Sequence, residues 1–215
     1  MTGQQTMRPG AIEVSPLFAT PVARLLLPDA ASINAQLREA IVAREKSHPS
    51  SQHSNLGGYQ STWDMEQWGG PGVARVLTQV RSIANRLTSD RQGKPANVEW
   101  KMNCWANINR AGNGNEFHAH PGSFWSGTYY VDDGGIAADP SLGGELEFLD
   151  PRGVGPAMYA PNLALAVPGG RAIGASEVIP PLAGVLVLFP AWIYHQVRPY
   201  RGSATRISIA FNLSL

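Results

Sequence analysis

Glu116-Phe117-His118-Ala119-His120-Pro121-Gly122-Ser123 is the stretch whose reading decides the fold, because only here do two histidines stand two apart. In an extended strand, residues i and i+2 point to the same side, so His118 and His120 share a face. Two imidazoles on one face are half of a metal site. A third histidine, His195, closes a strongly apolar run much later in the chain. Two near ligands and one distant ligand are how a β-barrel builds a metal centre at its mouth.

The composition agrees with a β fold. The chain has 215 residues, with 23 Gly and 17 Pro, a turn-rich mixture. Lys and Arg number 17 against 16 Asp and Glu, for a net charge of +1, and no long basic run points to nucleic acid. The single cysteine, Cys104, excludes an internal disulfide framework and reads as a small buried apolar residue on a strand. No apolar run reaches the roughly 18 residues a membrane helix needs, and the N-terminus lacks a basic-then-apolar leader. A cytoplasmic protein is the expectation.

Working outward from the histidines, strands are expected at about 98–109, 115–120, 123–131, 144–148, 175–179, 184–189, 194–199 and 204–213, separated by Gly, Pro, Asn and Asp turns. Towards the N-terminus, residues 1–10 read as loose, and Ile12 to Leu27 as one or two strands broken by Pro16 and Pro21. Asp29 is the expected N-cap of a helix over 31–46 carrying Ile33, Leu37 and Ile41 at helical spacing. A second helix over 72–89 has a stripe of Val73, Val76, Leu77, Val80, Ile83, Ala84 and Leu87, suited to the outside of a sheet. Residues 47–70 read as a long loop, with His53 a solvent histidine. The expected fold is mainly β: a jelly roll, or double-stranded β-helix, with N-terminal helices packed on the sheet. The chain is expected to form a single domain, 1–215, with a helical and loop annex over 1–96 and the β core over 97–215.

The last strand alternates. Ile207, Ile209, Phe211 and Leu213 share one face; Arg206, Ser208, Ala210 and Asn212 share the other. An arginine turned inward is costly unless it meets an anion, and its planar fork suits a carboxylate. A tight turn marked by Pro199 and Gly202 is expected to return the chain antiparallel and bring Arg206 beside His195. His118, His120, His195 and Arg206 then form a metal site with an anionic ligand next to it. Trp125, Trp192 and the 47–70 segment are candidate walls.

At this point the residues resemble a family. From about Asn103 to Asn212 the chain looks like the Fe(II)/2-oxoglutarate-dependent oxygenases, and most like a bacterial and phage group within them. The pieces are His118-Ala-His120-Pro-Gly-Ser, Ser126-Gly-Thr-Tyr-Tyr130, Gly144-Glu-Leu-Glu-Phe148 with Asp150-Pro-Arg152, Leu186-Val-Leu-Phe-Pro190, Trp192-Ile-Tyr-His195-Gln-Val and Arg206-Ile-Ser208-Ile-Ala-Phe-Asn212. The loop Ser54-Asn-Leu-Gly-Gly-Tyr-Gln-Ser61 looks similar too. The resemblance implies a dioxygenase that couples oxidation of a substrate to decarboxylation of 2-oxoglutarate. It implies Fe(II) on His118 and His195, and the 2-oxoglutarate C5 carboxylate on Arg206 with Ser208. Tyr129 or Tyr130, and Asn107, are implied for the other end of the cosubstrate; Tyr129 and Asn107 are the pair carried forward.

The family's usual second ligand is a carboxylate in His-x-Asp or His-x-Glu, and this chain has His120 there. His120 is read as the third ligand. The alternatives are water at that position or Glu116, which shares His118's face if the strand is regular. Glu145 and Glu147 are expected on the solvent face. Two other readings stay open: a cupin-type three-histidine metalloenzyme that uses no 2-oxoglutarate, and a non-catalytic barrel that binds an anion and a metal. The substrate is not legible, since specificity in such barrels belongs to loops, here 47–70, 132–143 and 151–174.

Overall fold

A computed structural model describes residue 12 and residues 17–153, 160, 162–167, 170–172 and 175–215. The reading of residues 1–10, and part of those for 12–27 and 151–174, lie outside the described residues.

All eight expected strands form, most of them on an alternating or wholly apolar pattern that one barrel can bury. Among the described residues these and five further strands form three antiparallel sheets. In chain order the strands are β1 (Ala23–Leu26), β2 (Asn55–Leu56), β3 (Tyr59–Gln60), β4 (Lys101–Asn109), β5 (Gly114–His118), β6 (Trp125–Asp132) and β7 (Leu146–Leu149). β8 (Leu165–Val167), β9 (Gly170–Ala172), β10 (Ser176–Ile179), β11 (Val185–Pro190), β12 (His195–Val197) and β13 (Arg206–Ser214) follow. A major sheet runs β1-β11-β6-β13-β4-β3 and a minor sheet β10-β7-β12-β5-β2; β8 and β9 form a separate two-stranded sheet. The fold is a jelly roll, with the two large sheets facing each other.

The helices are α1 (Ala30–Ser47), α2 (Met65–Trp68) and α3 (Gly70–Arg86). Ile33, Leu37 and Ile41 of α1, and Val73, Val76, Leu77, Val80 and Ala84 of α3, are buried against the outer face of the major sheet. That sheet meets them with Cys104, Ala106, Ile108, Leu186, Leu188, Ile207, Ile209, Phe211 and Leu213. Truncating one of these Leu or Ile residues to Ala costs about 2–5 kcal/mol. A smaller cluster of Tyr130, Leu146, Phe148, Val187, Phe189 and Ile193 fills the space between the sheets.

Several expectations are corrected. Asp29 does precede α1, but its φ is 55° and its side chain caps nothing; the carboxylate pairs with Arg75 instead. Only β1 forms between Val22 and Leu27. The 47–70 segment is no simple loop. Gly57 and Gly58, with φ of 65° and 71°, turn the chain between β2, on the minor sheet, and β3, on the major sheet, so the segment ties both sheets together. The Pro199–Gly202 region does not make a hairpin either. β12 pairs with β5 and β7, and β13 with β4 and β6, so His195 and Arg206 stand on opposite sheets.

Glu147 lies on the outer face of the minor sheet, yet it is buried. Arg198 and Gln196 cover it, and the Arg198 guanidinium holds its carboxyl down at about 2.

One register slip shapes the interior. Ser208 pairs with Tyr130, but Ile207 pairs with Asp132, leaving Val131 as an extra residue. Paired residues share a face, so this bulge turns Asp132 to the helix side with Ile207, where it meets Arg38 of α1.

Candidate metal centre

The centre forms between the two sheets. His195, at the start of β12, is directly paired with His118, at the end of β5. His120 lies just past β5; its backbone N–H donates to Ala191, and a turn at Gly122 follows. Each of the three rings offers a nitrogen, and these nitrogens lie within 4.8 Å of one another. Of the groups able to ligate a metal among the described residues, these three form the one cluster.

The tautomers of two histidines follow from their partners. His118 Nδ1 lies 2.7 Å from the Glu116 carbonyl, and His195 Nδ1 lies 2.9 Å from the Ile193 carbonyl. A carbonyl only accepts, so both Nδ1 atoms carry the proton and both Nε2 atoms present lone pairs. The Ser54 hydroxyl, from the 47–70 segment, points at His118 Nε2 from 3.4 Å and is itself met by Asn115. Burial holds all three imidazoles below their ordinary range, His120 at about 4 and His195 at about 3, and for these two the neighbouring histidines add to the effect. Neutral imidazole is the form that binds a metal.

Among the described residues no carboxylate joins them. Val197 pairs with Asn115 while His195 pairs with His118, so β5 bulges by one residue between these pairs. Asn115 and His118 both face inward, and Glu116 and Phe117 are exposed. The expectation that Glu116 shares the face of His118 needed a regular strand, and the bulge removes it.

Across the cavity stands Arg206, fully enclosed. It is in register with Asn109, to which it donates at 3.1 Å, and lies 3.5 Å from Ser208. Its guanidinium stacks 5.3 Å from the ring centre of Tyr130. It makes no salt bridge among the described residues, and burial works against its charge. Its Nε and the Tyr130 hydroxyl are buried and have no hydrogen-bond partner among the described residues. A planar cation beside free donors is chemically suited to a carboxylate.

Asn107, in register with Ser208, lines the same cavity. Tyr129 does not. Along β6, Ser126, Thr128 and Tyr130 face inward, and Tyr129 faces α1, donating to Asn34 at 2.6 Å. The inward tyrosine is Tyr130. Trp125 likewise packs on the helix side, donating to Thr88, and Trp192 is 56% exposed. The tryptophan on the cavity wall is Trp105, whose ring centre lies 6.1 Å from that of His120. Ser54, Asn109, Asn115 and Trp105 escaped the sequence reading. For Trp105 and Asn109 the signal was available, since both share the parity of Asn107 on β4.

Comparisons with known proteins give a family and similar folds. The family described as "Putative 2OG-Fe(II) oxygenase" matches residues 103–212, just over half of the chain. No curated protein matches significantly. Among solved structures, a Pseudomonas putida prolyl-4-hydroxylase is similar at 18% identity, with a TM-score of 0.61 over 90% of this chain and 91% of that one. A Trichoplax adhaerens prolyl hydroxylase, in complex with a hypoxia inducible factor peptide, is similar at 16% identity with a TM-score of 0.62, covering 90% and 83%. A viral collagen prolyl hydroxylase from Paramecium Bursaria Chlorella virus-1, in complex with 2OG, is similar at 11% identity and a TM-score of 0.56, covering 90% and 96%.

Proposed function

The chain belongs to this family of 2OG-Fe(II) oxygenases, and from that premise we propose that His118, His120 and His195 hold its Fe(II) while Arg206 and Ser208 hold the C5 carboxylate of its 2-oxoglutarate. The enzyme uses Fe(II), 2-oxoglutarate and O2. Among the described residues no helix is long and apolar enough to cross a membrane.

The observation that carries the reading is a pairing of opposites across one cavity. On one sheet are three neutral imidazoles with converging nitrogens; on the other is an enclosed arginine with no carboxylate to neutralise it. An acid bearing a carboxylate at each end spans such a cavity. Arg206 supplies charge and two parallel donors at one end. Ser208 adds a hydroxyl, and Tyr130 a phenol held neutral by burial. Asn107 offers an amide on the same wall. Trp105 and Phe189 keep water from the reacting end.

Iron bound at the histidines supplies the O2 activation that couples conversion of 2-oxoglutarate into succinate and CO2 to oxidation of a second substrate. The residues supply geometry, charge and a dry wall. Incubation with Fe(II), O2 and 2-oxoglutarate is expected to yield succinate, and Arg206→Ala to abolish it while metal still binds. Metal-dependent turnover of a different acid without succinate would instead return the cupin-type reading.

A further inference from the structure

Asn212 belongs to the inward face of β13, and the proposed function gives it no role. Its amide Nδ2 lies 3.2 Å from His120 Nδ1, and its Oδ1 lies 2.9 Å from the Ser126 hydroxyl. The Ser126 hydroxyl also lies 3.4 Å from the Phe211 carbonyl. His120 Nε2 lies 3.3 Å from His195 Nε2.

These four contacts admit two complete hydrogen-bonding schemes. In the first, Ser126 donates to Asn212 Oδ1, Asn212 Nδ2–H donates to His120 Nδ1, and His120 Nε2–H donates to His195 Nε2. Each of these contacts is satisfied, and the Nε2 atoms of His120 and His195 are closed against a metal. In the second, the Asn212 amide is turned by half a revolution. His120 Nδ1–H then donates to Oδ1, Nδ2–H donates to Ser126, and Ser126 donates to the Phe211 carbonyl. Every group is again satisfied, and His120 Nε2 presents a lone pair. His118 and His195 have no such choice, because backbone carbonyls fix their protons on Nδ1. An amide is the side chain that can serve both schemes, being a donor at one atom and an acceptor at the other.

We propose that Asn212 is the positioning residue that decides whether His120 is a metal ligand, and that the Ser126–Asn212–His120 relay reverses its direction when the centre takes up metal. One proton moves from Nε2 to Nδ1 of His120, the amide turns, and the net charge of the protein does not change. The proposal rests on the reading that the histidines form the metal centre.

The test uses zinc, which is diamagnetic, and nitrogen-15 NMR of the imidazoles. In the wild-type protein His120 is expected to carry its proton on Nε2 without metal and on Nδ1 with zinc, while His118 and His195 keep theirs on Nδ1 throughout. Asn212→Asp can only accept, so His120 is expected to stay in the Nδ1–H form in both states, with zinc affinity retained. Asn212→Leu has no acceptor, and its zinc affinity is expected to fall about 10- to 100-fold, the usual cost of losing a ligand's orienting partner. A His120 proton that stays on Nδ1 in both wild-type states, or wild-type zinc affinity in Asn212→Leu, would overturn the proposal. The underlying reading is tested apart. Zinc binding that survives His118→Ala defeats the metal centre itself. Zinc binding lost in His118→Ala but unchanged in His120→Ala leaves the centre standing and removes Asn212 from it.

Discussion

His118 and His195 are cross-strand partners that use the same local device: each Nδ1 donates to the carbonyl two residues upstream, Glu116 for one and Ile193 for the other. The backbone therefore aims both Nε2 atoms into the cavity without help from any side chain. Replacing either by Ala is expected to weaken Co(II) or Fe(II) binding by more than about 100-fold, beyond the usual loss for an orienting partner. Equilibrium dialysis measures it. Neither change should unfold the protein, because removing a buried neutral imidazole leaves no buried charge behind.

Arg206→Met is expected to separate binding from stability. Loss of the cation should cost 2-oxoglutarate affinity at least about 100-fold, the scale of a hydrogen-bonded charge pair. The ligand-free fold should be as stable as wild type or more so, because an enclosed charge without an anion is replaced by an apolar chain of similar length. Anaerobic calorimetry and urea denaturation give the two readouts. Tyr130→Phe should act in the same direction but cost only about tenfold in affinity, the worth of one hydrogen bond.

Metal-free protein is expected to lose stability as pH falls below about 6.5, the ordinary value for histidine. His120 and His195 titrate at about 4 and about 3 when folded, so the unfolded chain binds protons first. Stability is then flat above pH 6.5 and falls towards pH 4, by up to about 1.4 kcal/mol per pH unit for each histidine. Glu147 contributes in a separate window. Its folded value of about 2 lies below its ordinary 4.5, so the stability it adds is lost only as pH falls from 4.5 towards 2. Urea midpoints at pH 7.5, 6.5 and 5.5 test the histidine window, and His195→Gln should flatten the slope.

Gly127→Ala is expected to destabilise the fold by about 1–3 kcal/mol, the cost of overpacking a filled interior. A Cβ at this position would come within 2.3 Å of the Val187 carbonyl and 2.4 Å of the Phe211 ring. The Val187 backbone is held in the β6–β11 ladder and cannot retreat. Thermal or chemical denaturation reads the loss directly.

How much of this was legible in the sequence depends on what set each feature. The strands and both long helices were, because hydrophobic period sets them and Ile207, Ile209, Phe211 and Leu213 could be assigned to one face without knowing their neighbours. Tyr129 and Tyr130 were not separable: alternation says that they oppose each other, but only pairing with β13 says which one looks inward. Glu116 stayed open as an alternative ligand for a related reason, since a bulge is a property of two strands in register and leaves no mark on one. The His195–Arg206 hairpin failed because a Pro and Gly turn marks a change of direction without saying which sheet the chain enters next. Strands as short as β2 and β3 carry no periodicity at all.

The two bulges, on β5 and β6, have a joint effect. Each turns an acidic residue, Glu116 or Asp132, away from the cavity that a regular strand would have had it face. Had Asp132 stayed inside, it would have been a permanent internal counterion for Arg206, competing with every incoming acid. With both acids outside, the described residues of the cavity wall carry no fixed negative charge, and the positive charges of metal and arginine are left to be neutralised by something that diffuses in. Metal and 2-oxoglutarate should therefore bind cooperatively, each raising the affinity of the other by the same factor, as reciprocity of binding free energies requires.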